Sequence, residues 1–238
     1  KLQDRMRTLL KDRKDLNVPK VHFSHLTKSV LVIDYVRGTP IDKLSHLPQQ
    51  VRNRIGEQML GLCLQELFQF RFMQTDPNWS NFLYDEADEM LHLIDFGAAR
   101  DFRKEFTDHY IELIFAAMTK NADLLLKHSD VLGFTTGDES KKFRQMHVDA
   151  AYILGEPFLE DEYDFRKVNI ADRISTLGRT ILKDRLTPPP SEAYSLHRKL
   201  VGCFLSCIKL QAVISCRKIF LRQYENYDRK GIEKQTVG

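Results

Sequence analysis

Three side chains that could bind a cation or move a proton follow one another closely in the chain: Asp76, Asn81 and Asp95. Asn81 comes five residues after Asp76, and Asp95 opens the triplet Asp95-Phe96-Gly97. Mg²⁺ prefers hard oxygen ligands and is usually held by one or two protein groups together with phosphates and water. A carboxylate beside such a site can accept the proton of an attacking hydroxyl. The spacing therefore predicts that Asn81 and Asp95 hold Mg²⁺ on a polyphosphate and that Asp76 acts as the base.

A helix and a hairpin are predicted to position these three residues. Before the loop, apolar residues recur every three or four positions, which places them on one face of a helix that ends between residues 74 and 77. They are Val51, Ile55, Met59, Cys63, Leu67 and Phe70. Residues 82–84 and 90–94 are short apolar runs around an acidic turn, which predicts a β-hairpin. Asn81 at the start of this hairpin would then face Asp95 at its end.

The rest of the first half of the chain contains weaker patterns. Residues 1–17 have helical apolar spacing, and residues 18–21 are typical of a short strand entered through a proline. Residues 29–35 are a β-branched apolar run, which predicts a strand buried on both faces. After Gly97 the patterns are mostly helical. The fold class predicted from these patterns is mainly α with small β elements, an α+β fold.

The C-terminal part predicts one long helix. Three prolines at positions 188–190 form a rigid stop, and Ser191 is predicted to cap a helix that reaches the Arg222 region. Its apolar residues lie on or near one face, with basic residues such as Lys199 and Lys209 elsewhere. Such a helix either packs on its own core or makes a peripheral contact with a membrane or a partner.

Composition excludes several classes of protein. The chain has 238 residues, with 36 Lys and Arg against 33 Asp and Glu, so the net charge of +3 is spread along the chain rather than clustered as in a nucleic-acid binder. A hydrophobic content of 42% argues against disorder, and no apolar run is long enough to span a membrane. Four cysteines are too few for a disulfide scaffold, which predicts reduced core thiols.

Two motifs carry a resemblance to a known family. The order D-x-x-x-x-N, hairpin, Asp-Phe-Gly is the spacing of a kinase catalytic loop and its metal-binding triplet. The alternative is that these are turn residues and that the triplet ends a strand by chance, but the ordered combination makes chance improbable. The chain resembles the UbiB/AarF-type atypical kinases, and most closely their mitochondrial, ADCK-like branch. The residues that carry the resemblance are Gln74-Thr75-Asp76-Pro77-Asn78-Trp79-Ser80-Asn81-Phe82, Leu93-Ile94-Asp95-Phe96-Gly97-Ala98, and the tail from Pro188-Pro189-Pro190 to Tyr194-Ser195-Leu196-His197-Arg198-Lys199.

The resemblance implies a fold and a set of roles. It implies a protein-kinase-like large lobe at residues 38–238, preceded at residues 1–37 by the end of a small lobe and the hinge. Asp76 would be the catalytic-loop acid, and Asn81 and Asp95 would hold Mg²⁺ and bind the nucleotide. The hinge residues that would receive the adenine of ATP are Ile33, Asp34, Tyr35 and Val36.

The resemblance also implies a setting, namely support of coenzyme Q (ubiquinone) biosynthesis. Expected partners are ATP, a lipid or ubiquinone-precursor ligand and the proteins of ubiquinone biosynthesis, with a peripheral membrane contact and no nucleic acid. The expected location is the mitochondrion, on the matrix side of the inner membrane, although the chain itself shows no targeting segment.

Departures from ordinary protein kinases narrow the expected chemistry. Gln74 and Thr75 replace the usual His-Arg before the catalytic Asp, and Asn78 stands where a Ser/Thr kinase has a phosphate-neutralising Lys. The Ala-Pro-Glu that closes an activation segment is not found after Gly97. These departures favour a small or lipid-like acceptor, or plain ATP hydrolysis, over phosphorylation of proteins.

No phosphate-binding loop, strand lysine or αC glutamate is found upstream of the hinge. We therefore expect the chain to be part of a longer protein and, alone, to be inactive. Two other functions stay open at this point. One is a non-catalytic, nucleotide-sensing scaffold of a lipid-synthesis complex, and the other is a small-molecule phosphotransferase resembling aminoglycoside or choline kinases.

Overall fold

The computed structural model describes residues 1–167, 170, 173 and 188–228. This part of the chain contains seven α-helices and eight short strands. The helices are α1 (Leu2–Leu9), α2 (Gln49–Gln65), α3 (Lys104–Met118), α4 (Ala122–Val131), α5 (Lys141–Gly155), α6 (Ser191–Lys209) and α7 (Cys216–Asn226). The predicted class, mainly α with small β elements, is confirmed.

The strands form three small sheets. They are β1 (Leu16–Asn17), β2 (Thr39–Pro40), β3 (Phe72–Gln74), β4 (Phe82–Asp85), β5 (Met90–Leu93), β6 (Ala99–Asp101), β7 (Tyr163–Asp164) and β8 (Val213–Ile214). Four of them form a sheet in the order β1-β5-β4-β2, in which only β1 and β5 run parallel. Strand β3 pairs with β6 and β7 with β8, both antiparallel.

Helix α2 carries the predicted apolar face into the core, where Ile55, Met59 and Cys63 are buried. At its end the chain widens into one π-helical turn, Glu66–Phe70, and Arg71 stops it in the left-handed conformation (φ 49°). The predicted end at residues 74–77 is therefore wrong. The helix ends earlier because the next three residues form β3 and give their backbone hydrogen bonds to β6.

The predicted hairpin is confirmed. Strands β4 and β5 pair with Phe82 opposite Leu93 and Asp85 opposite Met90. Side chains along β4 alternate, with Phe82 and Tyr84 buried and Leu83 half-buried, as expected for a strand with one face on the core. Because β1 lies beside β5 and β2 beside β4, the hairpin is the centre of its sheet.

Three predictions for the N-terminal region are wrong. The first helix ends at Leu9 instead of continuing to residue 17, and the strand forms at Leu16–Asn17, before the residues 18–21 predicted for it. Residues 29–35 are not a buried strand: Ile33 makes one isolated bridge with Val21. Among the described residues the run pairs with only one short neighbouring segment, so most of its side chains face solvent on this chain.

The C-terminal part forms two helices instead of one. The break lies at Gln211, which has a positive φ of 51°, and Ala212 N donates to Cys207 O at 2.9 Å to close the end of α6. Strand β8 then pairs with β7 before α7 begins. Ser191 is the first helical residue, and Pro190 occupies the cap position predicted for it.

The core is built around α2, which packs against α6 and α7. Helices α3, α4 and α5 add a second, smaller apolar cluster at one side. The four cysteines are buried free thiols, as predicted, and burial raises the pKa of the Cys63 thiol. Within the described residues, we find no helix with both the length and the apolar character needed to cross a bilayer.

Candidate active site

The loop between β3 and β4 carries the predicted base. Thr75, the first residue after β3, donates from its backbone N to Ala98 O at 3.3 Å and from Oγ1 to the same oxygen at 2.5 Å. These bonds fasten the start of the loop to the segment that follows Asp95-Phe96-Gly97. Asp76 therefore projects from a fixed point beside that segment.

Asp76 and Asn81 are brought into direct contact. The Asn81 amide donates from Nδ2 to Asp76 Oδ2 at 2.9 Å. Between them, the Asn78 side chain accepts from Ser80 N at 3.0 Å and caps the short 3₁₀ turn Trp79–Asn81. Since the amide nitrogen of Asn81 faces Asp76, its oxygen points away from that carboxylate and is the atom suited to a cation.

The hairpin brings Asn81 next to the residue that precedes Asp95. Ile94 N donates to Asn81 O at 3.1 Å, which extends the pairing of Phe82 with Leu93 by one step. Asp95 itself is exposed and accepts from Gly97 N at 2.8 Å. The structure thus places all three predicted residues of the loop and triplet at the same end of the hairpin.

The donor set suits a hard cation that also binds phosphate. One amide oxygen, on Asn81, and one carboxylate, on Asp95, fit the one or two protein ligands that Mg²⁺ takes in phosphate sites. Across residues 1–167, 170, 173 and 188–228, no three His, Cys, Asp or Glu side chains converge to hold a metal without other ligands. The residues present therefore fit Mg²⁺ with a nucleotide better than a free-standing metal site.

Of the four predicted hinge residues, Asp34 and Tyr35 are exposed, and Ile33 and Val36 are half-buried. Asp34 accepts from His22 Nε2 at 2.6 Å, and the Asp34 carboxylate pKa is lowered by that hydrogen bond. Tyr35 is 87% exposed, so no described part of this chain covers it. The segment that contains these residues reaches the site through β2, whose Thr39 and Pro40 pair with β4 directly after the loop.

Helix α6 packs against the loop between β3 and β4, a contact that the sequence did not predict. Arg198 Nη2 donates to Thr75 O at 3.2 Å. One turn later Gly202 packs on Pro77, so closely that a Cβ on Gly202 would lie 2.0 Å from Pro77 Cβ. Both α6 residues lie in or just after the tail motif, which was the only available signal that this helix contacts the loop.

Lys199 was predicted to lie away from the apolar face of its helix, but the structure buries it. It is only 4% exposed, its Nζ donates to Gln74 Oε1 at 2.8 Å, and it lies 3.7 Å from Glu66 Oε2. Glu66 is fully buried, and burial raises the pKa of its carboxyl while Lys199 opposes the rise. A buried ion pair therefore lies directly under the β3 end of the loop.

The sequence pattern predicted a helix soon after Gly97, but the structure has a strand there first. The segment first forms β6, and Arg100 Nη1 then donates to Ser195 Oγ at 3.0 Å. Arg103 pairs with Glu192 on α6 at 2.6 Å. The connection is thereby held on α6, the same helix that contacts the loop. Because α3 begins already at Lys104, the connection is too short to be a long activation segment.

Comparisons with known proteins agree with this geometry. Residues 1–129 match the model of the ABC1 atypical kinase-like domain. The chain belongs to the ABC1 atypical kinase family. The resemblance to the mitochondrial branch of these kinases is confirmed by relatives from several organisms.

Among the curated relatives of this ABC1 family member are mitochondrial atypical kinases named COQ8B and COQ8. COQ8B of Rattus norvegicus is 49% identical over 92% of this chain and 42% of its own length. COQ8B of Danio rerio is 46% identical over 99% of this chain and 38% of its own. COQ8 of Saccharomyces cerevisiae is 40% identical over 89% and 43%. The chain thus spans about two fifths of the length of these relatives.

A solved structure has the same fold. The protein Rv3197 of Mycobacterium tuberculosis, solved in complex with erythromycin, matches with a TM-score of 0.72 over 91% of this chain and 55% of its own. At 19% identity, this likeness concerns the fold alone.

Proposed function

We propose that this chain is the large, catalytic lobe of a Mg²⁺-dependent atypical kinase or ATPase that supports coenzyme Q biosynthesis. Residues 38–238 would form this lobe, and residues 1–37 would form the end of the small lobe and the hinge. The single observation that carries the proposal is the contact of Asn81 with Asp76 at 2.9 Å on a hairpin that ends at Asp95.

Each of the three residues has a separate role in this proposal. Asp76 accepts the proton of the attacking hydroxyl, or of a water molecule if ATP is hydrolysed. Its hydrogen bond from Asn81 fixes the carboxylate in the orientation for that transfer. Asn81 and Asp95 hold Mg²⁺, which, when bound, neutralises charge on the phosphates of ATP. Ile33, Asp34, Tyr35 and Val36 receive the adenine.

The acceptor proposed is small or lipid-like, such as a ubiquinone precursor, and plain ATP hydrolysis is the alternative within the same site. Asn78 caps its own turn instead of offering a lysine to the γ-phosphate. The connection from Gly97 to α3 is short and is held on α6 by Arg100 and Arg103, unlike the long activation segment on which protein kinases bind peptides. The whole protein would act in the mitochondrion, which the names of the relatives support. Its proposed place there is the matrix side of the inner membrane, with ubiquinone-biosynthesis proteins as partners.

The test compares two substitutions in the full-length protein. Asp95→Asn removes the charged metal ligand, so Mg²⁺-dependent ATP binding should be lost. Asp76→Asn should leave that binding nearly unchanged and lower turnover by about 10²–10⁴-fold, because only the proton acceptor is removed. Binding is measured by calorimetry with Mg-ATP, and turnover by phosphate release in the presence of membranes.

Asp88→Asn, on the exposed turn of the same hairpin, is the matched control and should change neither quantity. Equal loss of binding in Asp76→Asn and Asp95→Asn would contradict the role given to Asp76. Tight Mg-ATP binding with no turnover under any condition would instead favour the nucleotide-sensing scaffold.

A further inference from the structure

Lys199 is a buried cation in a place where a cation is costly. Its Nζ and the fully buried Glu66 carboxylate are 3.7 Å apart, longer than a hydrogen bond. A buried ion pair with such geometry recovers little of its desolvation energy, and apolar residues of similar volume often stabilise a fold as well. Core stability alone therefore gives a poor account of this pair, and its other contacts have to be considered.

The hydrogen bonds of the pair both involve Gln74, the last residue of β3 and the second before Asp76. Lys199 Nζ donates to Gln74 Oε1 at 2.8 Å. Gln74 N donates to Glu66 Oε1 at 3.1 Å. The ion pair thus holds both the side chain and the backbone of Gln74, and β3 cannot shift along the sheet without breaking one of the two bonds.

Lys199 also contacts the other end of the loop. Its Nζ lies 4.9 Å from the centre of the Phe82 ring, in a cation–π arrangement. Phe82 directly follows Asn81 and begins β4. The Lys199 ammonium group therefore contacts both residues that flank the loop, Gln74 at the end of β3 and Phe82 at the start of β4.

We propose that Lys199, together with Glu66, is a positioning residue that fixes both ends of the loop carrying Asp76 and Asn81. The inference rests on the proposed function of that loop. Asp76 and Asn81 lie between the two anchored residues, so their relative position depends on the distance between Gln74 and Phe82. A misplacement of about 1 Å at such a site can cost on the order of 10²-fold in rate.

The neighbouring structure agrees with this role. Glu66 opens the π-helical turn, Glu66–Phe70, and such turns are frequent at functional sites because they redirect one side chain from a helix face. On α6, Arg198 directly precedes Lys199 and contacts Thr75, and Gly202, three residues after Lys199, contacts Pro77 of the loop. The anchor is thus one part of a continuous contact between α6 and the loop.

The experiment uses the full-length protein with the double substitution Glu66→Gln and Lys199→Met. Removing both charges leaves no unpaired carboxylate in the core, and the amide oxygen introduced at position 66 can still accept from Gln74 N. The ion pair itself and the lysine's contacts with Gln74 and Phe82 are lost. We expect kcat for Mg-ATP turnover to fall about tenfold or more, with KM for Mg-ATP changed less than about threefold and Tm nearly unchanged.

A second substitution approaches the same contact from the loop. Gln74→Leu removes the oxygen that accepts from Lys199 and should lower kcat by a similar factor. If the double variant and Gln74→Leu remove the same contact, a protein with all three substitutions should have a kcat no lower than the lower of the two separate values. Lys218→Met, an exposed lysine on α7, is the matched control and should leave kcat unchanged.

The outcomes separate this inference from the proposed function. Turnover in the unmodified protein with an unchanged kcat in the double variant would overturn the inference alone. A fall in kcat that parallels a lower Tm and disappears on cooling would also overturn it, because the pair would then be a stability element. Absence of Mg-ATP turnover in the unmodified protein would overturn the proposed function and the inference with it.

Discussion

Two apolar segments of this chain have the composition typical of strands and opposite environments. In the hairpin of β4 and β5, Phe82 is 2% and Leu91 0% exposed. Residues 29–35, which include most of the proposed hinge, are called the hinge segment. In it, Val30 is 52% and Leu31 60% exposed. Apolar residues of strand type thus form the centre of the site in one case and an uncovered surface in the other.

The difference lies in the neighbours that each segment has. The hairpin has β1 on one side, β2 on the other and α6 beneath the loop that leads into it. Within the described part of the chain, the hinge segment pairs mainly with residues 20–22, with Asp34 N donating to Lys20 O at 2.9 Å. Burial therefore depends on the packing partners, and the proposed Mg²⁺ ligands, Asn81 and Asp95, flank the hairpin, which packs against other described parts of this chain.

The largest loss of stability is expected from a substitution where α6 packs against the loop. In Gly202→Ala the new Cβ would lie 2.0 Å from Pro77 Cβ and 2.9 Å from its Cγ, so helix and loop would have to separate. We expect the free energy of unfolding to fall by about 3 kcal/mol. Urea unfolding of this chain measures the loss.

Gly61→Ala on α2 is the matched control for this substitution. Its Cβ would meet Ile219 Cγ2 at 3.9 Å, an ordinary contact. Since alanine favours a helix over glycine by about 1 kcal/mol, this variant should be as stable as the unmodified chain or slightly more stable. Similar stabilities for the two variants would show that α6 does not clamp the loop.

The same contrast explains what the sequence could predict. The hairpin and the apolar face of α2 were predictable because local periodicity and a turn define them, and the positions of Asp76, Asn81 and Asp95 follow from the hairpin. Ser29 to Tyr35 gave an equally clear pattern, but burial on both faces requires partners that periodicity does not specify.

Contacts between distant parts of the chain were the main omission. Lys199 is charged and lies outside the apolar spacing of its helix, so nothing local predicts that it is buried against Glu66 and Gln74. The break between α6 and α7 was missed for a related reason. Gln211 is not a typical left-handed residue, so its type does not predict the turn that closes α6 and leads into β8.

A glycine at the junction of the two segments allows a sharper test. Gly38 has a φ of 149°, and a Cβ there would lie 3.0 Å from Leu83 Cβ and 3.1 Å from the carbonyl carbon of Tyr84. Gly38→Ala should therefore lower the free energy of unfolding by about 1–2 kcal/mol, through backbone strain and crowding against β4. That loss corresponds to a Tm lower by about 2–8 °C, measured by thermal unfolding.

Gly137→Ala separates the two causes. Gly137 also has a positive φ, 89°, but nothing lies within 4 Å of a Cβ built there. It should show backbone strain without crowding, and so a smaller loss than Gly38→Ala. An equal loss would mean that the close approach of Gly38 to β4 contributes nothing to the effect.

The smallest effect is expected on the exposed side of the comparison, at Leu31. Leu31→Ser replaces a side chain that is 60% exposed and therefore has little packing to lose. We expect the free energy of unfolding of this chain to change by less than about 0.5 kcal/mol in urea. The soluble fraction should rise, measured by light scattering, because an exposed apolar segment with free backbone groups promotes association.

If the proposed hinge is correct, Leu31→Ser should lower the free energy of unfolding more in the full-length protein than in this chain. There residues outside this chain would cover the segment, so Leu31→Ser should cost about 1 kcal/mol or more, by loss of apolar burial. A large loss already in the 238-residue chain would mean that Leu31 is buried within it, contrary to its exposure here. No loss in either protein would mean that the segment stays exposed, and the hinge assigned to Ile33, Asp34, Tyr35 and Val36 would have no covering lobe to close on.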